Sequence, residues 1–259
     1  MFKRATVLAA ICSVWTFGCS SEPQPGSPEE RQEIIDNLVQ AGYPIDDIMV
    51  VDGQVFVGRD AHVTLEASRE MIESVASGEE QYRTNNLVGT GVTKICVVPT
   101  AAFDSYSRLS AGLDLAIANY NGLGLRLTFA RGSASDCTAT ISARTTSGTG
   151  GSAGFPKGGK PYGTINIGTG LQSYSDDVNE HVITHELGHC IGFRHSDYYN
   201  RAISCGSGGN EGEAGVGAVL IPGTPSTASV GGSIMNSCFR SNESGEWSNT
   251  DKVALDYMY

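Results

Sequence analysis

Eleven residues constrain this chain more than all the others: His185-Glu186-Leu187-Gly188-His189-Cys190-Ile191-Gly192-Phe193-Arg194-His195. Two histidines four apart on an α-helix lie about 40° apart in projection and ~6 Å apart along the axis, so both can reach one metal ion. A histidine six residues further along the same helix would sit ~9 Å away, beyond the ~2.0–2.1 Å of a zinc–nitrogen bond. One ion can therefore take all three only if the helix stops and the chain turns back. Gly192 supplies a residue that tolerates the left-handed turn this needs. Three neutral imidazoles leave a fourth position for water, the arrangement of a catalytic rather than a structural zinc. Glu186, one residue past the first histidine, stands where a carboxylate can take a proton from that water and pass it to a leaving amine. Five fixed identities in eleven positions arise by chance on the order of once in 10⁵ chains of this length, which disfavours an ordinary solvated helix.

The pattern H-E-x-x-H-x-x-G-x-x-H resembles that of the metzincin metallopeptidases. Ser233-Ile234-Met235-Asn236 follows 40 residues after His195 and fits the methionine turn that metzincins place beneath the metal. Taken alone, Met235 would read as a buried gap-filler. The stretch Ile183 to Asp197, with Ile221-Pro222-Gly223-Thr224-Pro225 and Ser233-Ile234-Met235-Asn236, is similar to the bacterial dual-action HEIGH metallo-peptidase family over roughly residues 30–259. Leu187 replaces the family's isoleucine at a position that binds no metal. The resemblance implies one catalytic zinc, protein or peptide substrates, and a substrate laid as an added strand along a sheet edge upstream of the zinc helix. Gly163, Thr164, Ile165, Asn166 and Ile167 are placed for that edge, a plain core strand being the equal alternative. A calcium ion is allowed, but no ligand set in the sequence supports one.

The N-terminus reads as an export signal. Lys3 and Arg4 precede an apolar run at 5–17, too short for the ~20 residues that span a bilayer as a helix. Cys19 follows Thr16-Phe17-Gly18 and is a candidate for lipidation, with ordinary cleavage and secretion as the alternative. The expected location is the bacterial cell envelope or outer surface, or the medium, and the only membrane contact would be the lipid. Five cysteines lie beyond it: Cys96, Cys137, Cys190, Cys205 and Cys238. Export allows disulfides, and the odd number leaves one thiol over. Sequence does not fix the pairing; the pairs we favour are Cys96–Cys137 and Cys205–Cys238.

The formal charge of −11 is uneven. Residues 20–80 carry 14 acidic and 3 basic side chains, whereas 81–259 are almost balanced at 14 and 12. No basic face is offered to nucleic acid. The division marks 1–19 as signal, 20–80 as an acidic tether and pro-segment, and 81–259 as the catalytic domain, expected to act as a monomer. If 20–80 blocks the enzyme it does so without a cysteine, and a carboxylate such as Asp46, Asp47, Asp52 or Asp60 is the candidate cap for the metal.

Periodicity predicts helices at 31–41, 64–77, 104–120, 177–191 and 249–258, with Asp176 or Asp177 capping the fourth and Ser248 or Thr250 the last. Strands are expected at 48–51 and 54–57 about an Asp52-Gly53 turn, then at 93–98, 125–130, 138–143 and 163–167, with a long glycine-rich loop at 146–161. The fold class expected is α+β, a metzincin-like zincin: a small twisted mixed sheet with two helices, then a loop-rich C-terminal subdomain ending in a helix. His181 is read as a neighbour of the site rather than a ligand, His62 as a surface residue, and Tyr198 and Tyr199 as packing rings. Two rivals stand beside a secreted metalloendopeptidase. One is a catalytically weak, zinc-stabilised surface binding or adhesion protein, against which the intact Glu186 argues. The other is an amidase or deformylase.

Overall fold

A computed structural model describes residues 26–40, 43, 45, 48–57, 60–66, 68–69, 81–207, 211, 218–225 and 227–259. The signal and lipidation readings, Cys19 among them, and most of the helix expected at 64–77 lie outside the described residues.

The acidic segment contributes α1 (Pro28–Gln40) and strands β1 (Ile48–Val51), β2 (Gln54–Val57) and β3 (Ala61–Val63). The β1–β2 turn has positive φ at both Asp52 and Gly53, the geometry that keeps two-residue hairpins in register with strand twist. Ile34 and Leu38 of α1 pack with Tyr43, Val55, Val57, Val63 and Phe155 in a small apolar cluster of their own. Val39 of the same helix is half exposed.

Then come β4 (Tyr82–Arg83), β5 (Lys94–Pro99), α2 (Ala101–Asp104), α3 (Ser107–Asn121), β6 (Thr128–Arg131), β7 (Ala139–Thr146), β8 (Gly151–Gly154) and β9 (Thr164–Gly168). A 3₁₀ turn at Thr169–Ser173 leads into α4 (Asp176–Ile191), followed by α5 (Ala202–Cys205), β10 (Val219–Leu220) and α6 (Asn249–Met258). The single helix expected at 104–120 is split by extended backbone at Tyr106, and Thr100 caps the short first piece.

Eight strands form one mixed sheet in the order β1-β2-β3-β8-β9-β7-β5-β6. Strands β5, β6, β7 and β9 are mutually parallel, and β8 runs antiparallel to β9. Leu109, Leu113, Ala116 and Tyr120 of α3 are fully buried against the core at helical spacing. Helices α3 and α4 approach closely at Gly112, where a Cβ would lie 2.8 Å from the Asn179 backbone. Tyr120 adds a hydrogen bond from its hydroxyl to Thr184 O at 3.0 Å. The motif helix is thus packed closely against α3 and also directly against β8 and β9. Two disulfides close the domain, Cys96–Cys137 and Cys205–Cys238, and Cys190 is free and buried.

Of the two readings of residues 163–167, the plain core strand holds and the edge does not, because β9 is hydrogen-bonded to β7 on one side and β8 on the other. Nor is 146–161 simply a loop, since it contains β8. Its sequence, Gly-Ser-Ala-Gly, lacks the branched side chains that announce a strand. The glycines are there for close approach: a Cβ on Gly151 would sit 2.6 Å from Glu186 Cγ, and one on Gly154 2.7 Å from His62 O. The outer edge of β8 is taken by β3, paired in parallel at Ala61↔Ala153 and His62↔Gly154.

Candidate active site

Helix α4 is capped by Ser175, whose hydroxyl accepts from Val178 N, instead of the expected Asp176 or Asp177, and ends at Gly192, with φ 118°. Gly192 N donates to His189 O at 3.0 Å and Phe193 N to Gly188 O at 2.9 Å, the paired bonds of a Schellman stop. The returning chain is pinned by β4: Arg194 N donates to Tyr82 O, and Thr84 N to Gly192 O, both at 2.8 Å. This is the reversal that the motif's spacing demanded, and it brings His195 back against His185 and His189.

The three Nε2 atoms converge. His189 and His195 are 3.2 Å apart at Nε2, and His195 and His185 3.3 Å. A tetrahedral site with bonds of ~2.0–2.1 Å has ligand–ligand edges of about 3.3 Å, so these separations suit nitrogen ligands sharing one small cation. Each Nδ1 faces away and is held: His185 by Ile234 O at 2.8 Å, His189 by Phe193 O at 2.8 Å, His195 by Glu211 Oε1 at 2.5 Å. A fourth oxygen stands beside them. Asp60 Oδ2, from the turn before β3, is 3.1 Å from His195 Nε2. Among the described residues, Asp60, His185, His189 and His195 form the one group able to hold a metal ion, their ligand atoms all lying within 4.8 Å of one another.

The electrostatics favour a cation here. Burial, then the neighbouring imidazoles, drive His185 well below its ordinary range; burial and His195 hold His189 at about 4, so both rings offer lone pairs at neutral pH. Burial opposes a charge on His195 as well, but Asp60 and Glu211 outweigh it and raise the ring to about 10. Burial pushes Glu186 well up, and the adjacent Asp60 pushes it further. Glu186 Oε2 and Asp60 Oδ1 are buried with no hydrogen-bond partner, polar atoms that a bound cation and its water would satisfy. The donor set therefore fits a divalent metal.

Met235 is fully buried beneath α4; a Cβ on Gly188 would be 2.7 Å from its sulfur. The turn is suspended from the last helix. Asp251, in a capping box with Ser248, accepts from Ile234 N at 3.0 Å and from Ser233 Oγ at 2.5 Å. Since Ile234 O receives His185 Nδ1, α6 reaches the first histidine through one residue.

A cavity of about 250 Å³ opens beside the histidines, lined by Asp60, Gly151, His181, Val182, Glu186 and Phe239 among others. His181 is buried with Nε2 unpartnered and stands outside the metal group, beside the site as expected. His62 is not a surface residue: it is buried under Tyr162, whose hydroxyl meets its Nδ1. Tyr198 packs edge-on against Tyr82, and Tyr199 accepts from Ala228 N. Glu211, Asp251 and Gln81, whose amide donates to Asp251 Oδ1 at 2.8 Å, escaped the sequence reading. Each lies outside the motif; Glu211 and Gln81 belong to no local pattern, and Asp251 to none beyond its helix cap.

Three imidazoles on a broken helix, a carboxylate beside them and a methionine turn below define a metallopeptidase of the HExxH type. Residues 55–259 match the family model of the dual-action HEIGH metallo-peptidases, and the chain belongs to that family. The match begins in β2 and so takes in Asp60. Two solved structures of myroilysin are similar: one at 15% identity and a TM-score of 0.44, covering 69% of this chain and 98% of that one; the other at 17% and 0.38, covering 68% and 87%. No curated protein matches the chain.

Proposed function

We propose that this protein is an exported zinc endopeptidase in which His185, His189 and His195 hold the ion and Glu186 is the general base. The observation that supports the reading is the convergence of the three imidazoles, His195 Nε2 lying 3.2 Å and 3.3 Å from those of His189 and His185, with a buried, unpartnered carboxylate oxygen of Glu186 beside them. Zinc, when bound, supplies Lewis acidity, making water easier to ionise and a carbonyl easier to attack. Glu186 takes the proton released as water attacks and delivers it to the departing amine nitrogen. Burial raises its proton affinity, the direction that favours accepting that proton. The burial that raises it also excludes bulk water from competing for the proton.

The test is cleavage of a denatured protein by wild type and Glu186→Ala, with zinc measured in both. Activity that disappears in the variant while zinc stays would support the assignment. Zinc in both with cleavage by neither, even after removal of residues 20–80, would turn the reading towards a surface binding protein. Export rests on the N-terminal pattern, and the two disulfides agree with an oxidising compartment. The mass of the mature N-terminus would decide between lipid-modified Cys19 and simple secretion.

We further propose that the acidic segment is an inhibitory pro-segment. Two facts support it: β3 fills the free edge of β8, and Asp60 Oδ2 stands at the fourth position beside the three histidines. Substrate needs both places. A chain starting at Gln81 is expected to cleave peptides faster than the intact protein; equal rates would refute the inhibition.

A further inference from the structure

The third histidine is held differently from the other two. His185 and His189 turn Nδ1 to backbone carbonyls, whereas His195 turns it to a side-chain carboxylate, Glu211 Oε1 at 2.5 Å. With Nε2 aimed at the metal position, Nδ1 carries the hydrogen and donates it to Glu211. The carboxylate is itself gripped. Arg194 Nη2 reaches Oε2 at 3.1 Å, Arg201 Nη1 bonds Oε1, and Ser237 Oγ lies 3.4 Å from Oε1. Its backbone N–H donates to Tyr198 O at 2.7 Å. All three charged side chains are almost fully buried: 3% exposed for Glu211, 2% for Arg194 and 6% for Arg201.

Stability alone is a poor reason for such a group. Buried ion clusters recover their desolvation cost with difficulty, and well-packed apolar residues often do as well or better. Glu211 does not line the catalytic cavity and is not among the four groups around the metal position. Its direct contact with the metal-binding group is the ring of His195. That ring needs an external guide more than the others do, because it is carried by the chain after the helix break rather than by α4.

We infer that Glu211 is a positioning residue for the metal centre: it fixes the tautomer and ring plane of His195, and Arg194 and Arg201 hold it charged and aimed. The inference rests on the zinc-site reading above and adds a contact from outside the eleven-residue motif. Removing such an outer partner weakens metal binding by about 10- to 100-fold. The two arginines also account for the long segment between His195 and Met235: it must return a carboxylate to the back of the third ligand.

The experiment uses the full chain. Glu211→Gln keeps the size of the side chain and removes its charge. Zinc affinity is measured by competition with a chelator, and the melting temperature is recorded without metal. The expected result is a zinc dissociation constant raised about 10- to 100-fold, with the metal-free protein still melting cooperatively. An unchanged constant would overturn the inference, as would a lowered metal-free melting temperature with zinc affinity intact, the mark of a purely structural cluster. Should Glu211→Gln fail to fold, nitrogen-15 NMR of zinc-loaded wild type serves instead. One ligand imidazole is expected to show an Nδ1–H shifted downfield of the other two, as a carboxylate acceptor requires, and three alike would overturn the inference. A wild type that binds no zinc at all would instead sink the underlying metal-site reading.

Discussion

If the acidic segment inhibits as proposed, replacing Asp60 by alanine in the intact chain should raise its activity. The carboxylate stands among the ligand atoms, Oδ2 3.1 Å from His195 Nε2, where with zinc bound it would face the cation in the place the water needs, and the worth of a hydrogen bond to a charged group is taken as the scale of that contact. Hydrogen bonds to charged groups are worth about 1.5–3 kcal/mol. At ~1.4 kcal/mol per decade, the open fraction of the intact protein should rise about 10- to 150-fold. The rise should stop short of that for a chain starting at Gln81, because the β3–β8 pairing and the apolar cluster of Ile34, Leu38, Val55 and Phe155 remain in Asp60→Ala. The assay is the initial rate on a quenched peptide, with mass spectrometry to show that the chain is still intact and zinc analysis to show equal loading. If Asp60→Ala is as slow as wild type while the shortened chain is fast, the strand and not the carboxylate is the block. If the shortened chain is no faster than wild type, the reasoning about latency is wrong from its first step.

Gly151→Ala puts a methyl 2.6 Å from Glu186 Cγ, so the carboxylate must move; displacements near 1 Å cost about 100-fold, and kcat/KM should fall by that order with zinc retained. Unchanged kinetics would contradict the placement of Glu186. Cys96→Ala with Cys137→Ala opens a bridge across 41 residues, for which the chain-entropy relation gives about 4 kcal/mol, or a melting point lower by about 8–16 °C in calorimetry. A drop under about 2 °C would contradict it. Burial, then Glu246 and Asp177, hold Glu180 at about 7, above its ordinary 4.5. The folded state therefore favours its protonated form, a stabilisation complete below about 4.5 and lost as pH rises through about 7. Glu180→Gln should then melt above wild type at alkaline pH and converge with it under acid, and a pH-independent gap would refute the assignment.

The metal site was legible because its requirements are local. Helix geometry, one glycine and three histidines dictate the break at Gly192, and the fold supplies it with a Schellman stop. The hairpin at Asp52-Gly53 and the cap at Ser248 were legible for the same reason, both being decided within four residues. Strand β8 was hidden because its residues answer to partners instead of to strand propensity. Gly151 and Gly154 are small for the sake of Glu186, Tyr162 and His62. The error about the edge followed from that. Ile165 and Ile167 are fully buried, a pattern equally at home in the middle of a sheet, and without β8 the sequence ended there.

The remaining pieces share a cause. Asp60 was one of four candidates named among the 14 acids of the acidic segment, and nothing in its neighbourhood distinguishes it; the β3–β8 register does, by bringing that turn over the histidines. Glu211 reads as one more acid in a glycine-rich run, yet two buried arginines single it out. Asp251 looks like an ordinary cap residue and is one, but the same carboxylate also carries Ile234 N and so fixes the carbonyl that orients His185. In each case one side chain closes a contact between segments that are distant in sequence. Such contacts have no period and no spacing. They exist only after the sheet, the helix break and the methionine turn are in place, so the motif specifies where a metal can sit, while residues outside it hold two of the three histidine rings.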